Sequence, residues 1–287
     1  MMLEIHRPKP FDPKSDDCLA INAPLVAKWL TRFLIDECKR HRKVEQVVLG
    51  LSGGVDSAVV AYLCARAFGA DNVLACKMPY KLSSPESLAH ADLVIQDLGI
   101  RSKKIDITKM VDGYGAELDA PPSPSRIGNV CARCRMIVLF DQSAAMNGLP
   151  IGTGNKSERL FGYFTWHADD SPPINPLGDL FKTQVWALAR ELGVRSTIIE
   201  KPASADLLKG QTDESDFGIT YARADKILTY MLQGYSKRKL VDLGFDKADV
   251  ELVWKRVDST HWKRRLPTVA MLSSTAIGEY YLRPVDF

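Results

Sequence analysis

Apolar residues recur along the first half of the chain in two alternating rhythms, and that alternation predicts elements before any motif is considered. Leu25, Val26, Trp29, Leu30, Phe33, Leu34 and Cys38 follow the i, i+4, i+8 spacing of an amphipathic helix over 25–38. The β-branched run VVLGL then reads as a strand, and Ala58 to Phe68 reads as a helix apolar nearly all round, hence deeply buried, stopped by Gly69. NVLACKM (72–78) is a second predicted strand, 86–98 a helix with Leu88, Ala91, Val94, Ile95 and Leu98 on one side, and KKIDI (103–107) a third strand. Residues 112–128, rich in Gly and Pro, are expected to form a loop, followed by a helix over about 129–146 and a fourth strand in LPIGT. From about 200 onward the pattern is helical.

Strands alternating with helices imply a doubly wound parallel sheet of about five strands with helices on both faces. The part from about 200 to 287 then reads as a helical C-terminal cap on the same single domain spanning 1–287, and about 1–24 as an N-terminal extension. No internal repeat interrupts this layout. At 287 residues, 46% of them hydrophobic and 25% charged, the chain can bury a full core. The net charge of +3 calls for no polyanionic partner, and Lys255, Arg256, Lys263, Arg264 and Arg265 read as surface with one or two phosphate ligands, so nucleic acid is an unlikely partner. Apolar stretches are far shorter than a membrane span and the start MMLEIHRPKP has no signal-peptide core, so a cytoplasmic location is expected. Cysteines 18, 38, 64, 76, 131 and 134 mostly sit singly in apolar segments, as reduced core thiols do.

The stretch most informative about chemistry is SGGVDS, residues 52–57, between a predicted strand and a predicted helix. There, loop and first-turn N–H groups converge at the carboxyl end of a strand and favour an anion. Gly53 and Gly54 permit close backbone approach and positive φ, while Ser52 and Ser57 supply hydroxyls. Asp56 would repel a phosphate unless a cation lies between them, and Mg²⁺ suits one or two carboxylates with phosphate oxygens and water. The alternative for these residues is a simple glycine turn capped by Asp56 or Ser57.

SGGVDS resembles the pyrophosphate-binding loop of the ATP pyrophosphatase (PP-loop) superfamily, and it lacks the GKS/T element of a Walker A loop. GTGNKSERLFGYFTWHADDSPPINPLGDLFKTQVWALARELG (152–193) resembles the NAD synthetase family. KMPY with a downstream SS at 77–84, NVCARCRM, EKPASADL, GQTDESDFGI and KRRLP follow in family-like order, covering about 25–270. The resemblance implies a carbon–nitrogen ligase. ATP adenylates the nicotinate carboxylate of deamido-NAD with release of PPi, and ammonia then displaces AMP to give NAD⁺.

By the same resemblance, ATP and pyrophosphate are expected at Ser52, Gly53, Gly54, Val55, Asp56, Ser57, Met78, Thr153, Lys182 and Ser204, and deamido-NAD at Arg133, Asp169, Asp216 and Lys263. Mg²⁺ is expected on Asp56 and Glu158, with Asp56, Lys182 and Asp169 as catalytic groups and Asp169 taking the proton of the ammonium. For Glu158 the plainer alternative is a helix-start carboxylate, and for Arg133 and Lys263 a solvated charge. A homodimer is also implied, with helices such as 25–38 and 129–146 available for its interface. No cysteine has an amidase context, so free ammonia is the expected donor unless a separate protein delivers it.

The chain departs from the family pattern in one region. Where relatives have KYGDG it has Trp166, His167, Ala168, Asp169 and Asp170, then Pro173. Asp216 replaces a usual glutamate, and Trp262 follows His261 beside KRR. Adenylation is thus expected to be intact while acceptor choice and loop closure are open. The strongest rival is an amide ligase with another carboxylate acceptor. Behind it stand a tRNA-thiolating enzyme using the Cys131–Cys134 pair for a metal or cluster, and a nucleotide-binding regulator without catalysis.

Overall fold

The structure is a computed structural model and describes residues 17–204, 212–265, 268–270 and 272. Residues 1–16 of the expected N-terminal extension and most of the chain beyond 265 lie outside the described residues, as do parts of EKPASADL, GQTDESDFGI and KRRLP.

Helix α1 (Ala23–Leu34) starts at an Asn22 cap with Pro24 in its first turn, and continues into a π-helical stretch, Ile35–His41, in place of one α-helix over 25–38. Strand β1 (Val47–Gly50) leads through the Ser52–Gly54 loop into α2 (Val55–Phe68), which begins three residues before the expected start because Gly54 serves as its N-cap. Then follow β2 (Val73–Lys77), α3 (Pro85–Leu98), β3 (Arg101–Lys104), α4 (Thr108–Ala116), α5 (Pro124–Ala145) and β4 (Leu149–Ile151).

Two expectations need correction here. The segment 112–128 is largely helical: Val111 of α4 is buried in the layer that α5 also supplies, which outweighs Gly113 and Gly115. Pro124 opens α5 at a first-turn position, where its missing N–H costs nothing, and Ser123 caps it. The third strand lies two residues earlier than KKIDI, because pairing with β2 is in register from Leu74–Arg101 to Lys77–Lys104. All four β3 residues are exposed, so no apolar pattern marks them.

All the strands pair in parallel, in the order β3-β2-β1-β4. These four are the described strands, and an isolated parallel bridge from Ile151 to Ile174 continues the sheet beyond β4 toward a fifth position. Period-two alternation splits β1 between the two faces. Val47 and Leu49 join α1, α2, α3 and α7 (Lys182–Leu192) in one core, while Val48 joins Leu74, Cys76, Ile107, Val111, Cys131, Cys134 and Val138 in the other.

Past β4 come α6 (Lys156–Phe161), α7, α8 (Ser196–Ile199), α9 (Asp213–Phe217), α10 (Tyr221–Leu232), α11 (Lys237–Asp242) and α12 (Lys247–Ser259). The last four build their own core around Phe217, Tyr221, Ile227, Leu240, Val250 and Val253. Phe161 and Phe181 belong to the same cluster, so this helical part is fastened to the ends of α6 and α7. Among the described residues no helix is long and apolar enough to cross a membrane.

Candidate active site

Two loops meet where β1 and β4 end side by side, the point at which the strand order reverses and open parallel sheets bind ligands. The first is Ser52–Ser57. Gly53 has φ +81°, and a Cβ there would lie 2.0 Å from the Ser87 carbonyl oxygen, so glycine is required both by the conformation and by the approach of α3. The loop is braced internally. Ser57 Oγ donates to the Gly54 carbonyl at 3.0 Å and accepts the Ser52 N–H at 3.2 Å, and the Gly54 N–H donates to Ser52 Oγ at 3.2 Å. Ser52 and Ser57 thus fix the loop's shape, and the 14-residue α2 behind it directs its positive end at the same spot.

The second loop runs from Thr153 to Glu158. Asn155 and Glu158 form a reciprocal cap of α6: the Glu158 N–H donates to Asn155 Oδ1 at 3.0 Å and the Asn155 N–H to Glu158 Oε2 at 3.1 Å. Glu158 is therefore a helix-start carboxylate, as the plainer reading expected. Its other oxygen nevertheless turns to the first loop's charge cluster. Lys182, the first residue of α7, is 2% exposed, with its ammonium hydrogen-bonded to Asp56 Oδ2 and 3.7 Å from Glu158 Oε1. Asn155 Nδ2 donates to Asp56 Oδ1 at 2.9 Å. Residues 99 and 126 positions away in sequence thus converge on one carboxylate.

Desolvation opposes the Lys182 ammonium, but Asp56 and Glu158 outweigh it and hold the amine above its ordinary range. Burial first, then the Asp56 charge, push Glu158 well above the usual carboxylate range, with Lys182 only partly offsetting them. One ammonium is thus too little positive charge for two ionised carboxylates here, a donor set suited to a divalent cation with phosphate oxygens.

The remaining ATP-side expectations are placed as follows. Met78 is buried just past β2, and its carbonyl accepts from Arg135 Nε at 3.1 Å. Thr153 lies two residues past β4, beside the Asn155 cap. Ser204 is exposed at the edge of the undescribed segment 205–211. Sequence reasoning missed Asn155, although N-x-x-E ahead of an apolar residue is a readable cap signal.

The four acceptor-side residues gather around the segment after α6. Since α6 has six residues, its two ends stand roughly 9 Å apart. Glu158 is at the start, and Gly162 at the end opens a loop through Asp170. Arg133, on α5, donates to the Trp166 carbonyl at 3.1 Å, and Thr165 Oγ1 donates to Asn129 Oδ1 at 3.0 Å. Asp169 Oδ1 accepts the Thr165 N–H at 2.8 Å, and its carboxyl is pushed up to about 6 by desolvation against that bond, with Asp170 adding to it. Lys263 donates to the carbonyls of Gly162, at 2.5 Å, and Phe164, and lies 4.4 Å from the Phe164 ring centre. It straps the loop, and desolvation lowers its pKa. Asp216 joins through Tyr163, whose hydroxyl donates to Asp216 Oδ2 at 2.8 Å. Trp166 and Trp262 meet edge to face at 5.3 Å over this segment, and His167 there holds φ +56°.

A family model described as NAD synthase matches residues 26–267. The chain belongs to the NAD synthase family. It is 47% identical over 262 residues to the NH3-dependent NAD+ synthetase of Trichlorobacter lovleyi, covering 90% of this chain and 94% of that one. Two solved structures align along nearly their whole length. An NH3-dependent NAD synthetase from Campylobacter jejuni has a TM-score of 0.76 at 31% identity, covering 88% of this chain and 100% of its own. An NMN synthetase from Francisella tularensis has a TM-score of 0.78 at 30% identity, covering 88% and 99%. As in other members of the NAD synthase family, the helices flank a parallel sheet. The cluster reading of Cys131 and Cys134 gains no ligands from the fold. Both are buried free thiols, and among the described residues no three His, Cys, Asp or Glu side chains are placed to hold a metal.

Proposed function

We propose that this chain makes NAD⁺ from deamido-NAD, ATP and ammonia, through an adenylate of the nicotinate carboxyl, releasing PPi and then AMP. The observation that carries the proposal is the Asp56–Lys182–Glu158 cluster beside a glycine loop at a helix N-terminus, in a chain of the NAD synthase family. A carboxylate oxygen of the acceptor attacks the α-phosphorus of ATP, and the bond to the β-phosphate oxygen breaks. The leaving PPi carries negative charge away from phosphorus, and the N–H groups not used inside the loop, those of Gly53 and the first turn of α2, stabilise it together with the Lys182 ammonium. Asp56 and Glu158 fit Mg²⁺, which when bound neutralises phosphate charge. Neutral ammonia then attacks the carbonyl carbon, AMP departs with the C–O electrons, and the extra proton is released, with Asp169 as the proposed acceptor.

Arg133, Asp169, Asp216 and Lys263 hold the acceptor crevice, Arg133 and Lys263 chiefly by fastening the 162–170 loop. Ammonia is taken free or handed over by a separate protein. The chain acts as a homodimer, for which α5 offers Ile137 and Phe140 and α1 offers Trp29 among the exposed apolar side chains. The altered 166–173 segment, together with the Francisella relative's different name, favours one second reading, a mononucleotide acceptor with a free nicotinate carboxyl. The test is to follow AMP, PPi and pyridine product with MgATP, ammonium chloride and either deamido-NAD or nicotinate mononucleotide. A higher kcat/KM with deamido-NAD supports the first reading, a higher value with the mononucleotide replaces it with the second, and no AMP with either refutes both.

A further inference from the structure

Lys182 and Glu158 reach the site from the first turns of two different helices, so their meeting depends on how the starts of α7 and α6 are held together. One side chain of the helical C-terminal part lies between those two starts. Asp225, on α10, is fully buried. Its Oδ1 accepts from Ser157 Oγ at 2.5 Å, and its Oδ2 accepts both the Thr183 N–H at 3.0 Å and Thr183 Oγ1 at 2.9 Å. Ser157 precedes Glu158 and Thr183 follows Lys182, and Ser157 Oγ also accepts the Lys182 N–H at 2.9 Å. The carboxylate's two oxygens therefore bind one helix start each. Thr229 Oγ1 donates to the Asp225 main-chain carbonyl at 2.7 Å one turn along α10, leaving both carboxylate oxygens to the two helix starts.

We infer that Asp225 is a positioning residue of the adenylation step, a clamp from the C-terminal helices that sets the spacing of Lys182 and Glu158 around the ATP phosphates. The inference rests on the proposed use of those two residues. An aliphatic residue could fill the space but could not tie the two helix starts, and misplacement by about 1 Å is enough to cost a reacting centre on the order of 10²-fold in rate.

The experiment compares Asp225→Asn with Asp249→Asn. Asp249 is also a largely buried carboxylate of the C-terminal part, paired with Arg223, but it makes no bond to α6 or α7. MgATP affinity is read by calorimetry, kcat by AMP release, and folding by thermal melting. Asp225→Asn is expected to weaken MgATP binding and lower kcat by about 10–100-fold, the usual cost of losing a residue that orients a ligating group. Asp249→Asn is expected to lower the melting temperature with little change in either. Thr183→Val keeps the carboxylate and loses one donor, so it tests the clamp even where Asp225→Asn folds poorly. It is expected to cost less, Thr183→Ser should restore activity, and the Asp225→Asn/Thr183→Val pair should be non-additive. The inference is overturned if both Asp225→Asn and Thr183→Val bind MgATP as the parent does, or if Asp249→Asn loses binding in step with stability. A parent chain that binds MgATP but forms no amide product would sink the proposed function alone, since the MgATP comparison does not involve the acceptor.

Discussion

Gly53 and Gly69 allow the geometry of the Ser52–Ser57 loop to be tested against its own control. Both hold φ +81°, where a side chain costs about 1–3 kcal/mol of backbone strain. They differ in surroundings. A Cβ on Gly69 meets nothing within 4 Å, whereas one on Gly53 would sit 2.0 Å from the Ser87 carbonyl oxygen and 2.9 Å from its carbonyl carbon. Since ordinary contact begins near 3.4 Å, the loop or the start of α3 must move by more than an ångström, and backbone cannot swing aside as a side-chain tip can. Gly69→Ala is therefore expected to lower stability by about 1–3 kcal/mol and leave turnover alone. Gly53→Ala is expected to lose at least as much stability and, because the N–H groups proposed to bind the phosphates are displaced, on the order of 10²-fold in AMP formation. Urea unfolding and steady-state AMP release on both variants supply the comparison. Equal stability losses together with parent-like turnover in Gly53→Ala would refute the claim that this loop's position governs the chemistry.

Lys182→Met strands the Asp56 and Glu158 carboxylates in a buried site, so unfolding titrations should show a loss of about 3–5 kcal/mol. PPi release should fall by about 10²–10³-fold as the charge facing the leaving group disappears. Lys263→Met leaves the Gly162 and Phe164 carbonyls without their donor, and it is expected to raise KM for deamido-NAD more than it lowers kcat, since the strap acts on the acceptor loop. Burial pushes the thiols of Cys38 and Cys76 up to about 11 from 9, so above pH 9 the unfolded chain ionises first and stability falls as pH rises toward 11. Each residue should contribute about 3 kcal/mol to that fall at 1.4 kcal/mol per unit, and Cys38→Ala or Cys76→Ala should flatten the alkaline limb of a stability–pH curve.

What could be read from sequence followed from how strongly each element announces itself. β1, β2 and the buried α2 are dense in β-branched or apolar residues, and SGGVDS marks the tight glycine loop between strand and helix by glycines that few other settings require. β3 has no such mark, because an exposed edge strand of Arg101, Ser102, Lys103 and Lys104 is held by backbone pairing alone. α4 was hidden by two glycines that packing against α5 overrides. In the site, Asp56, Glu158 and Lys182 were legible because each lies within a motif. Asp225 was not, since a single acid on an amphipathic helix is indistinguishable from a surface charge until the fold turns it inward. The bonding of Lys263 was not legible, because contacts to two main-chain carbonyls 99 and 101 positions back leave no pattern in the residue string.

The position of α6 has a consequence for how such a chain can diversify. Its first turn belongs to the proposed activating centre and its end launches the loop proposed to surround the acceptor, so one short rod separates two jobs that are otherwise built from different parts of the molecule. Loop residues 163–173, with their props on α5 and after α12, can be rewritten without touching the strand ends where the nucleotide is proposed to bind. Selection for a new acid would then act on one module while the other stays fixed, and grafting that loop between relatives is the natural route to re-aiming the catalyst.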